Sequence, residues 1–139
     1  MASANSIVKS APPIDQIGVE ERVSRFTKRS IKSSSKIAAL KMAISMMDLT
    51  TLDAKDTAGK VRQLCNKAIR PDESMPDIPS VAAVCVYPNM VAIAKEALLG
   101  TKIQVAAVAT AFPSGMSTRD VKIREPKFAV SEGADEIDM

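Results

Sequence analysis

The chain has 139 residues, of which 46% are apolar and 25% are charged, a composition typical of one globular domain with its own core. It contains no histidine, which excludes Ser-His and Cys-His catalysis and any metal site built on imidazole. Its longest apolar runs, residues 81–87 and 105–112, are shorter than the roughly 20 residues that a membrane helix needs, so we expect no membrane contact.

Residues 1–41 form a basic segment, with eight Lys/Arg against three Asp/Glu, whereas the remainder carries eleven against thirteen. A transit peptide or a nucleic-acid-binding arm would also be basic. This segment, however, contains acids and has a single aromatic side chain, Phe26, among its charges. We therefore predict a solvated, partly helical N-terminal extension and do not favour nucleic-acid binding.

The next elements in chain order are two weak helices, a strand and a stronger helix. Apolar spacing predicts helices from Ile17 to Phe26 and from Ile37 to Ile44. The short apolar run at residues 46–52 is typical of a buried strand. Residues 58–69 then have the three-to-four spacing of a helix, which Asp53 or Asp56 can cap.

This strand–helix unit repeats along the rest of the chain. The repeats are strands at 81–87 and 104–110, helices at 88–99 (ending at Gly100) and 117–132, and a fourth strand at 136–139. Strands that are apolar on both faces and alternate with helices indicate an α/β fold with a parallel sheet.

The missing phosphate-binding motifs select among parallel α/β folds. No GxGxxG or GxxxxGK[ST] motif follows any strand, which favours a (β/α)8 TIM barrel over a doubly wound sheet. A complete barrel takes about 250 residues. We therefore predict that residues 42–139 form an incomplete barrel, about its first half, behind the extension at 1–41.

Polar residues lie within or at the ends of the predicted strands. Asp48 and Thr50 share one face of the first strand, Cys85 lies in the second, Thr110 ends the third and Asp138 lies in the fourth. Chemistry in such barrels gathers at the carboxyl ends of the strands. We therefore expect a site at this end of the sheet.

Each of these residues also has a purely structural interpretation. A strand-end aspartate can accept backbone N–H groups only, but two of them within apolar strands favour function, because burying a carboxylate is costly. Cys85 is interpreted first as packing, since nothing in the sequence lowers its pKa. Cys65 and Cys85 lack metal-ligand spacing, so we expect no metal, and so few cysteines predict a reducing, cytoplasmic location.

Five segments together resemble the deoxyribose-phosphate aldolase family. They are MMDLTTL followed by DAKDT, the VRQLC helix, AAVCVYP, VAAVATAFPSG and GADEIDM, in the family's order, within residues 42–139. The resemblance implies a class I aldolase, a lyase of deoxyribonucleotide catabolism. Such an enzyme cleaves 2-deoxyribose 5-phosphate reversibly to glyceraldehyde 3-phosphate and acetaldehyde, without metal or diffusible cofactor.

The resemblance also implies roles for individual residues. In the family, a lysine on a later strand forms a Schiff base, a second lysine lowers its pKa, and an aspartate with a water relays protons. Asp138 matches the relay aspartate. Asp48 and Thr50 match first-strand residues that line the sugar-phosphate site, and Cys85 matches a cysteine near the pocket.

The sequence departs from the family in two respects. Both active lysines belong to the family's second half, and Lys102, Lys122 and Lys127 are not placed by sequence to replace them. Pro126 either interrupts the helix before the fourth strand or lies in the first turn of a shorter helix.

Two classes of function therefore stay open. The first is an aldolase by descent whose 139 residues lack the half that forms the Schiff base and are inactive alone. We favour this class and expect the chain to be a fragment or truncated product of an aldolase. The second is a non-catalytic interaction module, a half-barrel that associates with itself or a partner through exposed sheet edges.

Overall fold

A computed structural model describes residues 12–139, and their contacts divide them into two compact units, one ending at Lys36 and one from Ile37 to Met139. The first part of the predicted extension, which includes Lys9, lies outside the described residues. The domain boundary that we expected after Lys41 stays a prediction.

Two helices precede the sheet. Helix α1 spans Gln16–Thr27 and begins at Asp15, whose carboxylate accepts a hydrogen bond from the Gly18 N–H at 3.0 Å. None of its residues is buried, as expected for a solvated extension. Helix α2 spans Ser33–Ile44, so it begins four residues before Ile37, where the sequence predicted its start.

The second unit alternates strands and helices. In chain order its elements after α2 are β1 (Asp48–Thr50), α3 (Ala58–Ile69), β2 (Ala83–Val86), a 3-10 turn (Pro88–Met90) leading into α4 (Val91–Ala97), β3 (Gln104–Val108), α5 (Arg119–Ser131) and β4 (Glu136–Asp138). The strands form one parallel sheet in the order β1-β2-β3-β4. Sequential order is that of a barrel, whereas a doubly wound sheet reverses direction. The α/β fold predicted from the sequence, a partial (β/α)8 barrel, is thus confirmed.

The main core lies between one face of the sheet and the helices. Val84 and Val105 of the central strands are fully buried there, together with Val61 of α3 and Val91 of α4. The opposite face carries a smaller apolar cluster of Cys85, Ala106 and Val108, against which Leu52, Tyr87 and Phe112 pack. Because strand residues alternate between faces, β2 and β3 are apolar on both.

Three local expectations need correction. Thr57, not Asp53 or Asp56, caps α3 by accepting from the Lys60 N–H at 3.3 Å. Helix α4 ends at Ala97 instead of Leu99, although Gly100 does have the left-handed φ of +80° that suits a C-terminal glycine. Pro126 lies inside α5, so the helix continues through it and does not begin beside it.

No helix among residues 12–139 is both long enough and apolar enough to cross a membrane.

Candidate active site

The strand register places the predicted site residues on one face of the sheet. Thr50 pairs with Cys85, Cys85 with Ala106, and Ala106 with Glu136, so these four side chains form one row. Side chains two positions apart along a strand share a face. Asp48 and Asp138 therefore lie on this same face, which we call the Cys85 face.

The register also shows where the two aspartates lie along their strands. Asp48 is the first residue of β1 and pairs with Ala83, one row below Cys85. Asp138 is the last residue of β4 and pairs with Val108, one row above Cys85. β1 therefore begins with Asp48 and ends in Thr50, whereas β4 ends in Asp138.

The thiol of Cys85 lies at the centre of these groups and is only 5% exposed. Burial raises the pKa of Cys85, the negative charges of Asp138 and Asp48 raise it further, and the Thr50 hydroxyl opposes them. A thiol with a raised pKa carries little thiolate at neutral pH and is a poor nucleophile. This agrees with the interpretation of Cys85 as a packing residue beside the carboxylates.

Neither carboxylate of the predicted pair is buried. Asp48 and Asp138 are both exposed, and within residues 12–139 their side chains form no hydrogen bond or ion pair. The cost of burying a carboxylate, which we used to single them out, therefore does not apply to either residue here. The strand register nevertheless places both of them on the Cys85 face.

The sequence reasoning missed Glu136 as a member of this face. Glu136 is exposed, lies in the Cys85 row and contributes to the raised pKa of Cys85. Simple alternation would have found it, because Glu136 and Asp138 are two residues apart on one strand. The Cys85 face therefore carries three carboxylates.

The loop after β1 is fixed by a polar network that the sequence reasoning also missed. The Asp56 carboxylate, whose side chain is only 3% exposed, accepts from the Thr51 hydroxyl at 2.9 and 3.0 Å and from the Asp53 N–H at 3.0 Å. Lys60 completes the network with an ion pair to Asp56 at 2.6 Å. The Lys60 hydrogen bond, opposed by partial burial, lowers the pKa of Asp56.

Lys60 lies beside the first strand, and its protonation bears on amine chemistry. It lines a groove of about 290 Å³ that also includes Thr50. Its hydrogen bond to Asp56 raises the pKa of Lys60 above its usual value, with partial burial opposing. An imine-forming lysine must instead lose its proton near neutral pH. Lys60 is therefore a structural cation.

The other lysines that the sequence analysis weighed are placed as follows. Lys102 precedes β3 and is exposed, at the end of the sheet away from the predicted site. Lys122 and Lys127 lie on α5. The Lys122 ammonium lies 3.9 Å from the position that a Cβ on Gly115 would take, next to the loop that follows β3.

One cavity lies away from all of these residues. It has a volume of about 610 Å³ and is formed by the loop before β2, at the opposite end of the sheet, with Arg70, Asp72 and Glu73 in its lining. Among the described residues, no group of three or more carboxylate and cysteine side chains is arranged to hold a metal ion.

Comparison with known proteins gives a consistent result. The deoxyribose-phosphate aldolase of Mus musculus is 43% identical over 122 residues, covering 81% of this chain and 38% of that protein. The Homo sapiens enzyme of the same name is 40% identical over the same coverage. A crystal structure assigned as this aldolase from Coccidioides immitis superposes with a TM-score of 0.60 at 30% identity, covering 71% of this chain and 36% of that one.

No protein-family profile matches the sequence. The chain spans less than two fifths of the length of the curated relatives that it matches. Sequence identity, sheet order and the solved structure agree over the same partial barrel. This chain is therefore related to the deoxyribose-phosphate aldolases, as the five sequence segments indicated.

Proposed function

We propose that residues 42–139 supply the proton-transfer side of a deoxyribose-phosphate aldolase site, in which Asp138 is the catalytic relay and Asp48, Thr50 and Cys85 line the substrate pocket. The observation that carries this proposal is the strand register, which aligns all four residues on one face of the sheet. The two similar proteins named deoxyribose-phosphate aldolase support the substrate class, a five-carbon sugar phosphate.

The offset between Asp48 and Asp138 is compatible with a barrel. Along the paired strands, the row that contains Asp48 and the row that contains Asp138 are separated by the row of Cys85. A (β/α)8 barrel has a shear of eight, so its strands are staggered by about one residue per strand. We attribute most of the offset to this stagger, which accumulates over the three steps from β1 to β4.

The proposed chemistry divides between these residues and an amine that they do not supply. Asp138, with a water, would move a proton to and from the substrate carbon, a type of assistance that contributes about 10² to 10⁴-fold. The carbanion itself needs an iminium ion as electron sink. Lys60 is ion-paired with Asp56, which raises its pKa. The resemblance places both active lysines of the family in the half that these residues do not cover, so we propose that the 139 residues alone do not form the Schiff base.

Borohydride trapping tests this division. The chain would be incubated with 2-deoxyribose 5-phosphate, reduced and examined by intact mass, beside a chimera that joins residues 42–139 to the remainder of the Mus musculus aldolase. We expect a reduced adduct on the chimera and none on the chain. An adduct on a lysine of the chain would contradict the proposed division, and a folded chimera without an adduct would contradict the aldolase assignment.

The second candidate function is an interaction module, and the surface of α5 favours it. Val121 and Phe128 are seven residues apart and therefore lie on one face of α5, and they are 40% and 46% exposed although both are large apolar residues. Exposed apolar patches mark contact surfaces when they are contiguous. Light scattering on the chain and on Phe128→Lys tests this: a dimer dispersed by the substitution supports the module, whereas a monomeric chain excludes self-association. A cytoplasmic location belongs to either proposal.

A further inference from the structure

The chain makes a strained turn where β3 ends. Thr110 and Ala111, neither of them glycine, both have a left-handed φ of +61°. A Cβ in this conformation crowds the following carbonyl oxygen, so two such residues in succession persist only where the surroundings hold them. The turn lies at the carboxyl end of the strand, which is where sites form in barrels.

One side chain from α5 holds this turn. The Glu125 carboxylate accepts a hydrogen bond from the Ala111 N–H at 2.6 Å, fourteen residues earlier in the chain. Hydrogen bonds to an ionised acceptor are roughly twice as strong as neutral ones. Glu125 is half-buried beside a cavity of about 50 Å³, which Tyr87 and Phe112 also line. The N–H that Glu125 binds thus belongs to Ala111, one of the two strained residues.

The turn decides what covers the Cys85 face. Phe112 directly follows the strained pair and packs against the cluster of Cys85, Ala106 and Val108. Phe112 and Ala111 are both half-buried, so the loop lies against the protein and does not project into solvent. A shift of the Ala111 backbone would therefore move the aromatic ring that packs on the cluster containing Cys85.

We propose that Glu125 is a positioning residue: by holding the Ala111 N–H it fixes the turn after β3 and keeps Phe112 over the Cys85 face. The importance of this face for catalysis rests on the proposed function. The positioning itself does not, because it concerns contacts within the chain. Glu125 does not contact the site directly and acts through the turn.

Thiol labelling tests this on the intact chain, because its two cysteines make an internal pair. Cys85 belongs to the cluster on which Phe112 packs, whereas Cys65 is fully buried on α3 in the other core. Site-resolved alkylation with N-ethylmaleimide, read by mass spectrometry, would be measured for the wild type, Glu125→Gln and Glu125→Ala. Glu132→Gln, the same chemical change at the end of α5, is the matched control.

We expect Glu125→Ala to speed labelling of Cys85 on the order of tenfold, as for loss of a hydrogen bond to a charged group, without a change at Cys65. Glu125→Gln keeps a neutral acceptor and should give an intermediate rate. Glu132→Gln should match the wild type. An unchanged Cys85 rate in Glu125→Ala, or an equal rise at both cysteines, would overturn the proposal. Thiol labelling does not require aldolase turnover, so a failure of the positioning proposal can be distinguished from a failure of the proposed function.

Discussion

Asp135 links α4 to the amino-terminal end of β3, and its removal should destabilise the fold. Its carboxylate accepts from the Val105 N–H at 2.8 Å and from the Lys95 ammonium at 2.9 and 3.0 Å. Val105 is fully buried, whereas the side chains of Lys95 and Asp135 are 39% and 31% exposed. The hydrogen bond to the buried strand therefore matters more than the ion pair.

The magnitude follows from these two contacts. Asp135→Ala leaves the Val105 N–H without its side-chain acceptor, at a cost of about 1–3 kcal/mol. Loss of the partly exposed ion pair adds about 0–1 kcal/mol. We therefore expect Asp135→Ala to lower the free energy of unfolding by about 2–3 kcal/mol, and Asp135→Asn, which keeps an oxygen acceptor, by about 1 kcal/mol.

Urea unfolding followed by circular dichroism measures this difference. Glu96→Gln is the control, because it removes a pair to Arg62 in which the Glu96 side chain is 70% exposed. That loss should be below about 0.5 kcal/mol. A value for Asp135→Ala that equals the control would refute the assignment of Asp135 as a structural link.

The pH dependence of the free energy of unfolding of Asp135→Asn gives an independent check. Partial burial raises the pKa of Asp135, but the Val105 N–H and Lys95 outweigh it, so its pKa lies below the usual value. A depressed folded-state pKa stabilises above the unfolded value of about 3.9, and the contribution is lost as the pH falls through the folded value. The gap in stability between the wild type and Asp135→Asn should therefore narrow below about pH 4. A constant gap would contradict the ionised contact.

Three further substitutions test local features of the fold by urea unfolding. Pro126→Ala restores an N–H inside α5 and should raise the free energy of unfolding by about 1–3 kcal/mol; a decrease would mean that ring packing outweighs the missing hydrogen bond. Thr57→Ala removes the cap of α3 and should cost about 1 kcal/mol, whereas Thr57→Ser should be nearly neutral; equal losses would contradict the cap. Gly133→Ala should lower the free energy of unfolding by about 1–2 kcal/mol because φ is +100° at this position, whereas Gly59→Ala in the first turn of α3 should not lower it. A larger loss for Gly59→Ala than for Gly133→Ala would contradict the left-handed backbone at Gly133.

The order of the elements could be predicted from the sequence because it depends on local periodicity. Apolar runs such as residues 81–87 and the three-to-four spacing of residues 58–69 each indicate one element. Exact strand bounds could not be predicted, because they depend on pairing between strands. The run at 46–52 therefore yields only the three residues of β1 that find a partner in β2.

Contacts between distant residues account for what the sequence did not reveal. Asp56 was available as a helix cap by position, but Thr51 and Lys60 bind its carboxylate, and Thr57 takes the cap. Glu125 has no local signal for its bond to Ala111, which requires the loop and α5 to meet in space. The Cys85 face could be anticipated because strand alternation is local, and Glu136 would have completed it.

The central claim is that Asp138 of this chain is a proton relay when an imine-forming lysine is present. The most direct measurement is the turnover of 2-deoxyribose 5-phosphate by the chimera of residues 42–139 with the remainder of the mouse aldolase, compared with Asp138→Asn in that chimera. Asp77→Asn, an exposed carboxylate in the loop before β2, is the control. We predict that Asp138→Asn lowers kcat by about 10²-fold or more while borohydride trapping still occurs, and that the control is unchanged. An Asp138→Asn chimera with the kcat of its parent would contradict the account.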